Sequence, residues 1–271
     1  WNVYNSTSNG TTNITVAIVD NAIQRTHVDL AANIWTNPGE IPANSIDDDQ
    51  NGYVDDVNGW DPADGDNNTN PTNYAMDHGT HTSGCAAATN NNGIGASSIG
   101  WNLKIIPVKC AKNGDSPSSV GYGYQGIIYA AKCKARVISC SWGGTGAPST
   151  SAQSIIDYAW SKGCIIIVSA GNDNNNVLHY PAAYNNVYAV AATGNNNDVK
   201  AGFSCYGTWV DISSPGVNIF STLPNATNNN YGQMSGTSMA CPITAGLAGL
   251  MLAKYPWMTQ TNVLNCISST A

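Results

Sequence analysis

Charge is scarce in this chain. Asp, Glu, Lys and Arg make up 10% of its 271 residues, with 10 Lys and Arg against 17 Asp and Glu, for a formal net charge of −7. That balance argues against nucleic acid as a partner, because phosphate binding needs clustered Lys and Arg. No run of 18 apolar residues occurs, so no membrane-spanning helix can be drawn. Zinc-finger Cys-x-x-Cys pairs, internal repeats and Pro/Ser-rich linkers are also missing. What remains is one α/β domain over residues 1–271. A chain of this length buries roughly 75% of the surface that its unfolded form exposes.

The polar surface is built instead from Asn, Ser and Thr. Asn runs at 90–92, 174–176, 195–197 and 228–230 read as loop tips. The chain begins at Trp1 with neither Met nor a signal-peptide pattern, so it reads as a processed mature fragment. Its last residues, 266–271, are helical in character. Eight cysteines are an even number, and at least two disulfides are expected if the compartment is oxidising. Cys140 and Cys164 lie in apolar strand contexts where a thiol packs as a small hydrophobe.

Apolar runs at 14–19, 103–108, 136–141, 165–170 and 187–192 show no alternation, the pattern of strands covered on both faces. Helical patterns at 78–88, 118–132, 151–160 and 238–254 fall between or after them. This order predicts a three-layer α/β sandwich, a mostly parallel twisted sheet flanked by helices. Ligands collect beyond the carboxyl ends of such strands. Asp20, Ser141 and Asn172 each fall at or just past one of those ends.

Ser238 lies in Ser235-Gly236-Thr237-Ser238-Met239-Ala240, where an extended approach turns into a helix of small, buried residues. A hydroxyl there sits beside free backbone N–H groups, which suits a nucleophile facing an anionic intermediate. His78, in Asp77-His78-Gly79-Thr80-His81, can take the hydroxyl proton and return it to a leaving amine. His81 is one helical turn on; a metal pair is conceivable, but a capping or packing role fits better. Asp20 can fix the His78 tautomer. Helix capping is its competing role, and Asp29 competes for both. Asn172 can donate to an oxyanion or serve as an ordinary turn residue.

The four segments, in the order Asp, His, Asn, Ser, resemble the subtilisin family of serine endopeptidases. The likeness runs from about residue 14 to 271 and rests on 16–20, His78-Gly79-Thr80-His81 and Gly236-Thr237-Ser238-Met239-Ala240. It implies a subtilisin-like fold with Asp20, His78 and Ser238 as the triad and Asn172 as oxyanion donor. Ser141, Trp142 and Gly143 would form a rail of the substrate cleft. Ser169, Ala170 and Gly171 would wall the primary pocket, with Tyr180-Pro181-Ala182 as its base. A pocket of glycines and alanines is roomy and apolar, so a large apolar or aromatic P1 side chain is expected, and a peptide would add as a strand. The family usually has Gly where Ala22 stands.

A rival esterase would want a Gly-x-Ser-x-Gly elbow and the chain order Ser, Asp, His, whereas Ser238 here comes last. A non-catalytic relative is disfavoured by the intact polar set. The expectation is a secreted monomer, released from an N-terminal propeptide, acting on protein or peptide substrates.

Calcium is the expected cofactor. Asp47, Asp49, Asn51 and Asp55 fall at positions 1, 3, 5 and 9 of an EF-hand-like loop, with the Tyr53 carbonyl at 7. Position 12 is Asn58, and Asp55 or Asp56 would compensate for its missing carboxylate. The resemblance implies a second site, in which Asp29 and Asn92, or its neighbour Asn91, bind through the loop at 89–96.

Overall fold

The computed structural model describes residues 14–194 and 198–271. The Asn run at 195–197 lies outside the described residues.

The five expected strands and one further edge strand form a six-stranded sheet, all parallel, in the order β2-β1-β3-β5-β7-β8. The members are β1 (Thr15–Asp20), β2 (Lys104–Lys109), β3 (Val137–Cys140), β5 (Ile165–Ser169), β7 (Tyr188–Thr193) and β8 (Ile212–Pro215). Two short antiparallel ribbons complete the set: β4 (Gly144–Thr145) with β6 (His179–Tyr180), and β9 (Ile219–Leu223) with β10 (Asn230–Met234). The chain leaves β1 for β2 at the edge and returns past β1 to β3. Strand order therefore reverses at β1, and a crevice opens beyond the carboxyl ends of β1 and β3.

Successive strand residues face opposite layers. Val16, Ile18, Ile105, Val137, Ile165 and Ile167 pack under α1 (His78–Ala87), α4 (Thr237–Lys254) and α5 (Gln260–Thr270). Ala17, Val19, Ile106, Ile138, Ile166 and Val168 pack under α2 (Gly123–Lys132) and α3 (Thr150–Ser161). Both faces being covered explains the unbroken apolar runs.

Helix α2 starts five residues later than the sequence pattern suggests. Residues 116–122 turn first, with Ser119 N–H bonded to the Ser116 carbonyl and Tyr122 N–H to the Cys110 carbonyl. The ribbon of β9 and β10 had no apolar run to mark it. Its buried side is polar: Ser221 Oγ and Thr222 Oγ1 donate to the His81 and Thr80 carbonyls at 2.8 Å.

The disulfide expectation is overturned, because all eight cysteines are free. Cys110, Cys140, Cys164 and Cys241 are fully buried, where a thiol acts as a small hydrophobe. Burial raises the thiols, Cys241 to about 11 and Cys85 and Cys164 to about 12, so they stay protonated.

Candidate active site

Asp20 ends β1, is fully buried, and points at the first residue of α1. Its Oδ1 lies 2.8 Å from His78 Nδ1 and accepts the Asn21 N–H at 2.7 Å, while Oδ2 accepts the Thr82 hydroxyl at 3.1 Å. The carboxylate is bonded to the imidazole, and the N-cap of α1 is Asp77. Burial alone would lower the His78 pKa, but the charge and hydrogen bond of Asp20 outweigh it and raise the value.

Asn21 settles how Asp20 is held without the usual glycine. Its Oδ1 accepts N–H groups from Ala22 (2.6 Å) and Gly79 (2.8 Å), and its Nδ2 donates to the Pro117 carbonyl. Ala22 is buried and is not among the residues with positive φ, so a methyl group is accepted there. The close approach falls instead on Gly79, where a Cβ would strike the Ala22 carbonyl.

Ser238 is the second residue of α4. Pro242, four residues on, has no N–H to give the Ser238 carbonyl. That carbonyl instead accepts the Ser141 hydroxyl at 2.8 Å, tying the end of β3 to the start of α4. Ser238 Oγ in turn donates to the Ser141 carbonyl at 3.3 Å. His78 lines one lobe of the cleft and Ser238 the other; Ser141, Trp142 and Gly143 border both. The hydrogen bonds of the two side chains run elsewhere, Ser238 Oγ to the Ser141 carbonyl and His78 Nδ1 to Asp20; catalytic hydrogen bonds are often loose before substrate binds.

Asn172 follows β5. Its Oδ1 accepts both the N–H (2.9 Å) and the hydroxyl (3.0 Å) of Thr237, which fixes the amide and turns Nδ2 outward. A Cβ built on Gly236 would lie 3.4 Å from Asn172 Nδ2 and 3.5 Å from Ser238 N. Two donors thus border one small space left by a glycine, the geometry that receives an oxyanion. Replacing Asn172 with Ala should lower kcat by about 10²–10³-fold with KM little changed. A tenfold or smaller loss on a peptide anilide would remove the residue from that role.

A pocket of about 260 Å³ beside Ser238 is lined by Ser141, Trp142, Gly143 and Gly144 and by Ser169, Gly171 and Asn172. Ala170 does not line it; its side chain is fully buried and its N–H bonds the Val190 carbonyl. Asp173 and His179 do line it, and neither belonged to the expected wall. His81 is buried, with Nε2 at 3.0 Å from the Ile219 carbonyl. Burial lowers its pKa to about 4, so the ring is neutral and joins α1 to the ribbon.

The acidic segment is built differently from an EF-hand. Asp47 accepts the Asn51 and Gly52 N–H groups, and Asp55 turns away to the N–H groups of Asn44 and Ser45. The Tyr53 ring packs on Trp60 and Tyr129. Asp61 and Asp64 are paired to the buried ammonium of Lys109. What converges is Asp49, Asp56 and Glu40, whose carboxylate oxygens lie within 4.8 Å of one another. Asn37 donates to Asp49 and Asp56, as does Asn51. Glu40 Oε1 accepts two N–H groups, but Oε2 is buried without a partner. Burial raises the pKa of both Glu40 and Asp56. An orphaned oxygen among three carboxylates fits a hard cation. Glu40 escaped the sequence reading because it precedes the acidic run by seven residues.

At the second expected site, Asn92 and not Asn91 reaches Asp29, with Nδ2 at 2.7 Å from Oδ1. Asp29 is fully buried, Oδ2 accepts the Ala96 N–H, and the nearby Tyr231 hydroxyl is buried without a partner. These oxygen donors also fit a hard cation once the Asn92 amide presents its oxygen.

The fold and this cleft define a hydrolase of the serine-nucleophile class. The subtilase family model matches residues 11–271. Thermitase of Thermoactinomyces vulgaris is 38% identical over 94% of this chain and 80% of its own length. A subtilisin of Bacillus pumilus is 34% identical over 96% and 84%. The thermophilic serine proteinase of Bacillus sp. strain AK1 is 35% identical, and here the chain spans 55% of the relative's length. Among solved structures, fervidolysin of Fervidobacterium pennivorans superposes with a TM-score of 0.80 at 28% identity, covering 98% of this chain and 40% of that one. The chain belongs to the subtilase family of serine endopeptidases.

Proposed function

We propose that Ser238 attacks the scissile carbonyl of a peptide, His78 takes its proton and passes it to the leaving amine, and Asp20 holds His78. Asn172 Nδ2 and the Ser238 N–H receive the oxyanion. The observation carrying this reading is the pair of fixed contacts, Asp20 to His78 and Thr237 to Asn172, converging on one cleft. Covalent labelling by a sulfonyl fluoride at Ser238, read by mass spectrometry, tests it; an unlabelled folded protein rejects it.

The substrates are proteins or peptides, bound as a strand along 141–144. A large apolar or aromatic P1 side chain would pack on Trp142 and over the glycines at 143, 144 and 171, beside Asp173 and His179. Cleavage-site mapping on a denatured protein checks this. We place the protein outside the cell as a monomer, released from a propeptide. Detection in culture medium and its elution volume test those points. Among the described residues no helix is long and apolar enough to cross a membrane.

Calcium is assigned to Glu40, Asp49 and Asp56 with Asn51, and a second ion to Asp29 and Asn92. Bound there, calcium would cancel carboxylate repulsion and pin two loops; no chemical step passes through it.

The raised His78 pKa sets the pH profile. The base works only when neutral, so kcat/KM should fall as pH drops through a value above the ordinary 6.5. Asp20→Asn should shift this acid limb downward and cost about 10⁴-fold in kcat. An unmoved limb would show that another group governs it.

A further inference from the structure

Beyond the wall that carries Asn172, three metal-ligating side chains unused by peptide hydrolysis come together. Asp173 Oδ2 lies 2.8 Å from His179 Nε2, and Cys205 Sγ lies 3.9 Å from the same nitrogen. One donor atom from each falls within 4.8 Å of the others. They arrive from the loop after β5, from β6, and from the loop between β7 and β8. His179 and Cys205 are buried. Gly171, with φ +109°, leaves the space open: a Cβ there would sit 2.7 Å from the His179 ring and 3.2 Å from Cys205 Sγ.

The hydrogen bonds of His179 point to a cation. Nδ1 lies 2.9 Å from the Val177 carbonyl, which can only accept, so Nδ1 carries a proton. Nε2 then faces a carboxylate, which also only accepts when ionised. Either a proton or a metal must sit between them. A proton accounts for Asp173 but leaves the adjoining thiol only long contacts, 3.9 Å to Asn175 Oδ1 and 3.9 Å to His179 Nε2. A metal uses all three donors, and a ligating histidine characteristically gives its other N–H to a backbone carbonyl.

We propose that Asp173, His179 and Cys205 form a site for a zinc ion whose fourth position opens into the primary substrate pocket. Sulfur, nitrogen and carboxylate oxygen with one open position are a zinc-type set, whereas calcium does not select a thiol. Tetrahedral bonds of about 2.0–2.3 Å separate neighbouring donors by roughly 3.3–3.6 Å. The two distances to His179 Nε2, 2.8 and 3.9 Å, reach that spacing with changes of about half an ångström. On binding, the Cys205 thiol proton and any proton on His179 Nε2 leave to solvent, and sulfur and nitrogen each give a lone pair to the ion.

Asp173 and His179 line the same pocket as Ser238 and Asn172. The ion and its water would occupy space that a P1 side chain enters, making zinc a reversible inhibitor. This consequence rests on the peptidase reading of the cleft; the binding itself does not.

Cadmium separates the two, because its bond to a thiolate gives an ultraviolet charge-transfer band. Titrating the whole chain with Cd²⁺ should give a band that saturates at one equivalent and is displaced by Zn²⁺. Cys205→Ser should abolish it. Cys133 lies 3.6 Å from Asp56 and Cys85 lies 3.6 Å from His81, so Cys133→Ser and Cys85→Ser are the controls that should keep it. Asp173→Asn, at a side chain 63% exposed, folds independently of the buried cluster. It should keep the band yet weaken Zn²⁺ binding at least tenfold, with the same shift in zinc inhibition measured against its own uninhibited rate. A band that survives Cys205→Ser, or zinc affinity unchanged in Asp173→Asn, overturns the site. An inactive protein that keeps the Cys205-dependent band would instead refute the peptidase reading and leave the zinc site standing.

Discussion

Ser238→Ala should reduce kcat on a peptide anilide by about 10⁶-fold, the loss recorded for the same change in a subtilisin. That corresponds to about 8 kcal/mol of barrier, the share carried by a nucleophile that no neighbour can replace. The fold should not suffer. The Ser238 hydroxyl makes one long bond, to the Ser141 carbonyl, while the helix start is held by Ser141 Oγ on the Ser238 carbonyl and by Thr237 on Asn172. KM and the thermal midpoint should therefore stay close to those of the parent. Turnover above about a thousandth of the parent rate would remove Ser238 from the reaction.

Chelation of calcium should cost much more stability than activity. At free calcium 1,000 times the dissociation constant, binding to the folded state alone is worth about 4.1 kcal/mol per site. For a chain of this size each kcal/mol moves the midpoint by about 2–4 °C, so one site accounts for about 8–16 °C. Glu40→Gln should erase most of the difference at the first site, because Glu40 holds the carboxylate oxygen left without a partner. Calorimetry with and without chelator reads both effects. Equal midpoints in the parent would leave the Glu40, Asp49 and Asp56 cluster without a calcium role.

Much of the molecule was legible in its sequence. Five unbroken apolar runs marked five of the six strands of the parallel sheet, since burial on both faces leaves that trace. β8 was missed because it is an edge strand of partly exposed polar residues. β9 and β10 were missed because they meet α1 through hydroxyl groups and not methyl groups. The cysteines misled. An even number suggested pairing, but pairing is set by where side chains end up, and none of these is paired.

The candidate site divides in the same way. Asp20, His78, Asn172 and Ser238 could be named because each sits at a strand end or helix start, which local sequence marks. The residues that set their geometry could not be named. Asn21 bonded to Gly79, Thr237 turning the Asn172 amide, and Ser141 serving the carbonyl freed by Pro242 are contacts between segments 58 to 97 positions apart. The acidic loop shows the limit most clearly, since spacing suggested one ligand order and folding chose another by bringing in Glu40.

By itself the sequence determined the layers, the order of elements and the chemistry on offer, because periodicity and residue type are local properties. Only the tertiary structure decided which oxygens share a cation, which thiols stay single, and that Asp173, His179 and Cys205 meet at all. Those outcomes depend on hydrogen bonds and close approaches between distant segments, and such contacts leave no pattern along the chain.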